Sequence, residues 1–289
     1  MIAVSRVHEV RPVTLHEFGL FQALVEQELG IHLSEAKQAL VNARLMPRIR
    51  ELGLTTFGDY YDLARGGDPR ELRRLLDAIC TNETHFFREP GQFEILEHRL
   101  IPRWVSEADA GLRARRVSIW SAGCSTGEEP YSLAMTLRER LPADFDFEIL
   151  ASDVSEKALG RARAATYSMQ RLEEIPEALH KRYLLRGVRE QEGRFRIGPE
   201  LRRYVRFEPI NLLSIGARSL GPFDLVLCRN VLIYFKRETR FAIVGELCGK
   251  VKPGGHLFVG HAESLHGANL PISTLIPTVY RVGAAGGAA

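Results

Sequence analysis

The sequence predicts an α/β fold in which a helical N-terminal region precedes a mostly parallel β-sheet. Residues 14–80 carry apolar residues at helical spacing, and no strand pattern interrupts them. From about residue 115, short apolar runs alternate with helical segments instead. Strands that alternate with helices form a parallel sheet that is covered on both faces.

The helical region contains four predicted helices. The first, TLHEFGLFQALVEQELG, ends at Gly30, a natural helix stop. The second, SEAKQALVNARLMPRIRELG, has Ser34 as a candidate N-cap and Gly53 after its end. TFGDYYDLARGGDP is shorter, and PRELRRLLDAIC begins with Pro69 in the first turn, where proline is tolerated.

The sheet region begins with the predicted strand RVSIWS and the predicted helix GEEPYSLAMTLRERL. The strands FEILASD, FDLVLCRN and GGHLFVG follow, together with the helices SEKALGRARAA and RETRFAIVGELCGKV. LIPTVYRVG is expected to be a last strand in an antiparallel hairpin. Residues 170–208 break the alternation and predict an insert with a helix and short strands, and the terminal GAAGGAA is expected to be disordered.

Composition sets broad limits on the class of protein. The chain has 289 residues, 45% of them hydrophobic, which is enough for a sizeable core. A formal net charge of +3 does not indicate a nucleic-acid-binding protein. Because the four cysteines are far apart and no C-x-x-C pair is present, we expect neither a zinc site nor a disulfide framework, and reduced thiols in the cytosol are the simplest interpretation.

The same pattern bears on localisation. The first residues, MIAVSRVHEVRP, lack the apolar core of a signal peptide. No apolar run approaches the roughly 20 residues that a membrane-spanning helix needs. We therefore expect a soluble, cytoplasmic protein that does not insert into a membrane.

The loop after the first predicted strand, SAGCSTGEE, carries the first functional signal. Ligands of open α/β sheets bind at the carboxyl ends of the strands, where this loop lies. It has neither the G-x-x-x-x-G-K-[ST] pattern of a phosphate loop nor the G-x-G-x-x-G dinucleotide pattern. Glu128 and Glu129 would repel a pyrophosphate and favour a cationic ligand. S-adenosylmethionine, with its sulfonium, ammonium, ribose and single carboxylate, meets that description.

Asp153 ends the second predicted strand, where an acid can accept hydrogen bonds from both ribose hydroxyls. The alternative is that Asp153 caps the following helix, although Ser155 can fill that role instead. The alternative for Glu128 and Glu129 is charge placement against the helix dipole, which accounts better for one of them than for both. The spacing therefore favours a methyltransferase.

Longer stretches carry a family resemblance. They are ICTNETHFFREPGQF at 79–93, WSAGCSTGEEPYSLAM, ASDVSEKAL, NLL at 211–213, FDLVLCRNVLIYF at 223–235 and VKPGGHLFVGHAES at 251–264. Over nearly its whole length the chain resembles the CheR-type chemotaxis receptor methyltransferases, which esterify glutamates of membrane chemoreceptors. KPGGHLFVG alone is a weak signal, whereas NETHFFRE together with CRNVLIYF is specific.

The resemblance implies a Rossmann-like class I methyltransferase sheet with an all-helical N-terminal domain and a small antiparallel β insert. It implies domains at residues 1–88 and 89–289, with the insert at about 172–208. The expected activity is transfer of a methyl group from S-adenosylmethionine to receptor glutamates in chemotaxis adaptation or a related signalling pathway, with S-adenosylhomocysteine as the product.

The resemblance also implies the cofactor contacts, position by position. They are Asn82, Thr84, Arg88, Glu128, Glu129, Asp153, Asn211, Leu212, Arg229 and Asn230. Asp153 would hold the ribose, Asn211 and Leu212 would lie beside the adenine, and the Arg229–Asn230 pair would close the site near the methionine portion. Which of Glu128 and Glu129 makes the contact stays open. The loop departs from the family in having Gly123 and Cys124 where alanines are expected, but both residues are small.

Methyl transfer to a glutamate needs no general base, because a carboxyl with a pKa of about 4.3 is already ionised at neutral pH. Catalysis should therefore rest on positioning and desolvation. The catalytic candidates are Arg88, which can hold a carboxylate, and Tyr234, which can orient the methyl donor or the acceptor oxygen. The alternatives are an exposed linker arginine and a core tyrosine. His256 and His261 lack the spacing of a helical metal pair, so no metal is expected.

Two features are candidates for receptor contact. Lys37, Arg44 and Arg48 share one face of the second predicted helix, and this basic face can dock on Glu-rich receptor helices. The alternative is a solvated helix face, which is the more usual role of a row of charged residues. An exposed strand edge in the insert can bind a receptor C-terminal peptide by strand addition, and the alternative is a structural hairpin. A monomer is expected.

Two other functions compete with this interpretation. A methyltransferase acting on nucleic acid would need a basic patch with interleaved aromatics, which is absent, and CRNVLIYF stands where adenine-N6 enzymes carry an Asn/Asp-Pro-Pro-Tyr/Phe run. A catalytically silent scaffold that keeps the cofactor fold is disfavoured by the presence of Asp153, Glu128 and Arg88.

Overall fold

The computed structural model describes residues 10–283. The expectations for the first residues and for the GAAGGAA tail concern positions outside this range, apart from Gly283. By its internal contacts the chain divides into two compact units. One comprises the described residues up to Thr81 together with Tyr234–Lys236, and the other comprises Asn82–Ile233 with the described residues from Arg237 onward.

The first unit is helical, as predicted. Its α-helices are α1 (Leu15–Leu29), α2 (Gln38–Glu51), α3 (Phe57–Arg65) and α4 (Pro69–Ile79). A capping box between Thr14 and Glu17 starts α1, and Gly30 ends it with a left-handed φ of 71°. The prediction that Ser34 caps α2 is wrong, because a 3-10 turn, Glu35–Lys37, comes first and the Ser34 side chain makes no capping hydrogen bond.

The second unit contains the sheet region. Its strands are β1 (Arg116–Ala122), β2 (Asp146–Asp153), β3 (Thr166–Ser168), β4 (Leu184–Arg186), β5 (Arg194–Ile197), β6 (Val205–Pro209), β7 (Phe223–Cys228), β8 (Val251–Val259), β9 (Ile272–Ile276) and β10 (Val279–Val282). Its α-helices are α5 (Pro90–Ile95), α6 (Ile101–Asp109), α7 (Glu128–Arg140), α8 (Glu156–Ala164), α9 (Glu177–Tyr183), α10 (Pro199–Arg202) and α11 (Arg237–Gly249).

The main sheet has seven strands in the order β6-β2-β1-β7-β8-β10-β9. The pairs from β6 to β8 are parallel, and β10 pairs antiparallel with β8 and β9, which confirms the predicted antiparallel hairpin. LIPTVYRVG is not one strand, however, because a turn at residues 277–278 divides it between the end of β9 and β10. β7 is buried along its whole length and β1 at every residue but the first, as expected of central parallel strands. These two elements form the middle of the sheet.

A second, three-stranded antiparallel sheet has the order β3-β5-β4. It begins at Thr166, earlier than the expected insert at about 172–208. β6 falls inside that expected range, but it pairs with β2 in the main sheet. β3 has three residues, which is too short for an alternating pattern to show in the sequence.

The chain order of the main sheet reverses beside β1. From β1 the chain runs outward through β2 to β6, and it then returns to form β7 on the other side of β1. In open α/β sheets, ligands bind at such a switch point, outside the carboxyl ends of the strands. The loops that follow β1 and β7 therefore occupy the expected position for a ligand site.

Candidate active site

The loop after β1, residues 123–127, approaches its neighbours too closely for larger side chains. Gly123 and Gly127 have left-handed φ values of 81° and 98°. A Cβ atom on Gly123 would lie 2.5 Å from Cγ2 of Val231, and one on Gly127 would lie 2.9 Å from Cβ of Ala162. Both positions therefore require glycine, since L side chains clash and are strained there. We call this segment the glycine loop.

Asp153, at the end of β2, is held against the glycine loop. Its Oδ2 accepts a hydrogen bond from the Ser125 backbone N–H at 2.8 Å, and its Oδ1 accepts one from the Ser155 N–H at 2.9 Å. Ser155 caps α8 by accepting from the Ala158 N–H at 3.1 Å. The capping role therefore falls to Ser155, and the Asp153 carboxylate is fixed beside the loop.

Glu128 and Glu129, in the first turn of α7, are both buried but differ in their partners. Glu129 accepts from the Arg229 guanidinium (Nε–Oε2 2.6 Å) and from the Ser121 hydroxyl (Oγ–Oε1 2.6 Å). Glu128 accepts from the Thr126 hydroxyl at 2.7 Å, and within the described residues no ion pair neutralises it. Burial raises the pKa of Glu128, and the Thr126 hydrogen bond opposes that rise. Glu128 is therefore the carboxylate better suited to a cationic ligand.

Arg229, predicted as a cofactor contact, is enclosed by protein groups. Besides its ion pair with Glu129, its Nη1 donates to the Arg88 carbonyl at 2.7 Å and to Oε1 of Gln92 at 3.2 Å. Its guanidinium carbon lies 5.6 Å from the centre of the Phe93 ring. Arg229 therefore ties the loop after β7 to the segment around Arg88.

Residues 82–89, the NETHFFRE segment, are held by their backbone. Besides the Arg88 carbonyl, four of their main-chain groups bond to side chains outside the segment: Asn82 C=O to Ser125 Oγ at 3.0 Å, Thr84 C=O to Arg171 Nη1 at 2.6 Å, Phe86 N–H to Glu174 Oε2 at 2.9 Å and Phe87 N–H to Ser132 Oγ at 3.0 Å. These bonds fix the segment to the glycine loop, to α7 and to the turn after β3.

Arg88 lies between two strained residues. Phe87 and Glu89 adopt left-handed φ values of 51° and 59°, which cost of the order of 1–3 kcal/mol for each non-glycine residue. The Arg88 side chain is partly exposed, and its Nη1 donates to the Glu83 carbonyl at 3.1 Å. Such strain is kept where the surrounding contacts determine one conformation, and it clusters at functional sites.

The remaining predicted cofactor residues follow neighbouring strands. The Ile210 N–H donates to the Asp153 carbonyl at 3.1 Å, which places Asn211 and buried Leu212 directly after this contact. Asn230 follows β7 with a φ of 59°. All ten predicted cofactor positions thus lie in the second unit.

The other predicted residues belong to the first unit. Tyr234 is half-buried there, and its carbonyl accepts from the His32 N–H at 2.7 Å. Lys37 is exposed. Arg44 donates to the carbonyls of Ile79 and Cys80 at the end of α4, and Arg48 forms a two-pronged ion pair with Glu71 at 2.9 and 2.6 Å. Arg44 and Arg48 therefore stabilise the packing of α2 against α4.

Other features bear on metals and membranes. In the described range, no group of three or more His, Cys, Asp and Glu side chains is arranged to hold a metal ion. His256 is buried on β8, and burial together with Arg103 and Arg281 lowers its pKa to about 4, whereas His261 is exposed. None of the helices between residues 10 and 283 is long and apolar enough to cross a bilayer.

Sequence reasoning missed several residues that build the site. Ser121, Ser125, Gln92 and Arg171 all make the contacts described above. Ser121 and Ser125 stand within the quoted loop, but a serine in a loop does not reveal its partner. Their partners are distant in sequence, so only the folded chain identifies them.

Two family models match the chain. The model described as CheR methyltransferase, SAM binding domain, covers residues 82–280. The model described as CheR methyltransferase, all-alpha domain, covers residues 16–80. Between them they span almost all of the described residues.

Curated relatives match over similar lengths. The chain is 40% identical to chemotaxis protein methyltransferase 2 of Pseudomonas aeruginosa, over 92% of this chain and 93% of that one. It is 37% identical to the chemotaxis protein methyltransferase of Escherichia coli, over 91% and 89%. It is 33% identical to that of Borreliella burgdorferi, over 93% and 95%.

Proposed function

Because the chain belongs to the CheR methyltransferase family, we propose that it methylates glutamate side chains of chemoreceptor proteins in the cytoplasm. The chain is an S-adenosylmethionine-dependent methyltransferase, and the receptor glutamates are the proposed acceptors. The match of family models to both the helical and the sheet regions is the observation that carries the proposal.

The charges of the site suit S-adenosylmethionine. This molecule supplies an activated methyl group on a positively charged sulfur. Glu128 and Asp153 present carboxylates at the carboxyl ends of β1 and β2, while Arg229 neutralises Glu129. The resulting excess of negative charge attracts a ligand with a net positive charge.

We assign the cofactor roles accordingly. Asp153 accepts from the ribose hydroxyls, and Asn211 and Leu212 flank the adenine. Asn82 and Thr84 line the site from the NETHFFRE segment. Arg229 holds the backbone of Arg88 through its hydrogen bond to the Arg88 carbonyl, and Glu129 holds Arg229 in place through their ion pair.

The acceptor glutamate is already ionised, so no residue has to remove a proton. One of its oxygens forms a bond to the methyl carbon while the carbon–sulfur bond breaks and its electron pair stays on sulfur. Arg88 orients the acceptor carboxylate and offsets the repulsion between that anion and the acidic site. Tyr234 is the second proposed catalytic group.

Replacing Arg88 with alanine should lower kcat about 100-fold while the Kd for S-adenosylmethionine changes little, because misplacing the acceptor by about 1 Å costs that much. Tyr234→Phe should also lower kcat, but by a smaller factor than Arg88→Ala.

Rates at saturating receptor and calorimetric Kd values for S-adenosylmethionine test the two variants. Arg99→Ala, at an exposed arginine of the second unit, is the control, and full turnover of both variants would exclude the catalytic roles.

The receptor-docking proposal now rests mainly on Lys37. Lys37→Glu should raise the KM for receptor about 2–5-fold, as expected for an exposed charge, without changing stability. Arg48→Glu should instead lower the free energy of unfolding by about 3 kcal/mol, because it sets a like charge beside Glu71. Urea unfolding and receptor KM values separate the two effects. Lys157→Glu, at an exposed lysine of α8 in the second unit, is the control. An unchanged KM in Lys37→Glu would rule out docking through this residue.

The small sheet is the proposed site for a receptor C-terminal peptide. β3 and β4 are its two edge strands, and Leu185 on β4 is 54% exposed. An exposed edge supplies unpaired backbone groups for strand addition, and Leu185 supplies an apolar contact. The domain boundary near residue 88 and a monomeric state are further parts of the proposal.

Transfer of tritiated methyl groups from S-adenosylmethionine to membranes that carry a panel of chemoreceptors tests the function. Label that is released as methanol by mild base identifies a carboxyl ester and its acceptor together. Cofactor binding with no label on any receptor, or label that resists base, would contradict the proposed reaction.

A further inference from the structure

Glu263 is a buried carboxylate that the proposed mechanism does not use. It lies in the HAES stretch after β8 and is 0% exposed. Its oxygens accept three backbone N–H groups: Gly260 at 2.6 Å, Asn230 at 2.7 Å and Ile233 at 3.1 Å. No lysine or arginine of the described chain forms an ion pair with it. The main chain alone therefore satisfies this carboxylate.

Burying a carboxylate without a counter-ion is costly, and burial raises the pKa of Glu263 even though the backbone hydrogen bonds oppose the rise. An apolar side chain would avoid this cost. A carboxylate offers two oxygens that accept only, so it can receive several converging N–H groups at once. Glutamate therefore suits this position because its carboxylate fixes the three N–H groups, and with them the backbone that carries them.

The geometry imposed is that of the turn after β7. Asn230 holds a left-handed φ of 59°, its N–H donates to Glu263, and its side-chain amide donates to Oε1 of Glu89 at 3.3 Å. A Cβ atom on Gly260 would lie 2.6 Å from Nδ2 of Asn230 and 2.7 Å from Oε2 of Glu263. Glu263, Gly260 and Asn230 thus form one tightly packed junction between the loops after β7 and β8.

We infer that Glu263 is a positioning residue that presets Asn230 for the cofactor. The inference rests on the proposed function and on the cofactor contact that the family resemblance implies for Asn230. A site held in its binding conformation by supporting hydrogen bonds avoids an ordering cost when the ligand arrives. Glu263 acts through the backbone of Asn230 and makes no contact with the reacting atoms.

Glu263→Gln tests the inference, because the amide keeps the size of the side chain but turns an NH2 group toward a backbone N–H. The Kd and the KM for S-adenosylmethionine should rise about tenfold, the loss expected for a hydrogen bond to a charged group. The KM for the receptor should stay unchanged. Glu190→Gln, at an exposed glutamate, is the matched control.

A purely structural role predicts a different result. Glu263→Gln would then melt at a lower temperature but bind S-adenosylmethionine with the wild-type Kd at temperatures where it is folded, and that result would overturn the inference. If wild-type protein itself failed to bind S-adenosylmethionine, the proposed function would fall first, so the two failures are distinguishable.

If Glu263→Gln does not fold, hydrogen exchange of the wild-type protein tests whether the turn after β7 is formed before the cofactor binds. The amides of Gly260, Asn230 and Ile233 should be protected before any cofactor is added, because the junction is already formed. Rapid exchange of these three amides in the free protein, with protection appearing only on cofactor binding, would show that Glu263 does not preset the turn.

Discussion

Replacing Arg229 with methionine is expected to lower the free energy of unfolding by about 3–5 kcal/mol, the range for removing one partner of a buried ion pair. The substitution leaves Glu129 buried with only the Ser121 hydroxyl as a partner. It also removes the donor to the Arg88 carbonyl, so kcat should fall together with stability. Urea unfolding and turnover of the same preparation measure both effects.

A double-mutant cycle separates the ion pair from packing. Glu129→Gln alone should also destabilise, because Arg229 then keeps only the more distant Glu89, at 3.6 Å, as an anionic partner. The double variant should be destabilised by less than the sum of the two single changes, because Arg229 and Glu129 are removed together and neither is left as the unpaired half of their ion pair. Arg140→Met is the control, since Arg140 and Glu97 form a partly exposed pair worth about 0–1 kcal/mol. A loss below 1 kcal/mol in Arg229→Met would show that the pair does not hold this region together.

The parts of the fold that depend on local sequence could be predicted. The glycine that ends α1 is recognised within a few residues of sequence, and the apolar runs of β1 and β7 identify central parallel strands. The position of Asp153 at the end of β2, with Ser155 as the helix cap, follows from the same local pattern.

What the sequence could not provide is the choice of distant partners. Glu128 and Glu129 are identical and adjacent, and they differ only because Arg229, a hundred residues later, pairs with one of them. Helical periodicity places Arg44 and Arg48 on one face of α2, yet that face packs against α4 rather than standing free. Periodicity identifies a face of a helix, but only the tertiary fold determines what covers it.

The difference between the two glutamates leads to opposite expected effects of one substitution. Glu128→Gln should raise the free energy of unfolding of the cofactor-free protein at pH 7, because it removes a buried carboxylate that has no ion-pair partner among the described residues. The expected gain is about 0.5–2 kcal/mol, the usual range for one stabilising substitution. It should raise the Kd for S-adenosylmethionine about 10–100-fold, because a hydrogen bond to a charged group is lost. Glu129→Gln, one residue later, should instead lower stability because Glu129 has a buried cation beside it.

The sign of the Glu128 effect follows from its titration. Burial raises its pKa in the folded protein, so the folded chain holds this proton more tightly than the unfolded chain. Its contribution to stability is therefore fully present below the ordinary glutamate pKa and is lost as the pH rises through the higher folded value. The stability advantage of Glu128→Gln should accordingly shrink as the pH falls to about 3, well below the ordinary glutamate pKa of about 4.3, where the wild-type carboxyl is protonated in both states. An advantage that persists unchanged at that pH, or a loss of stability at pH 7, would show that ionised Glu128 is not a destabilising group kept for the cofactor.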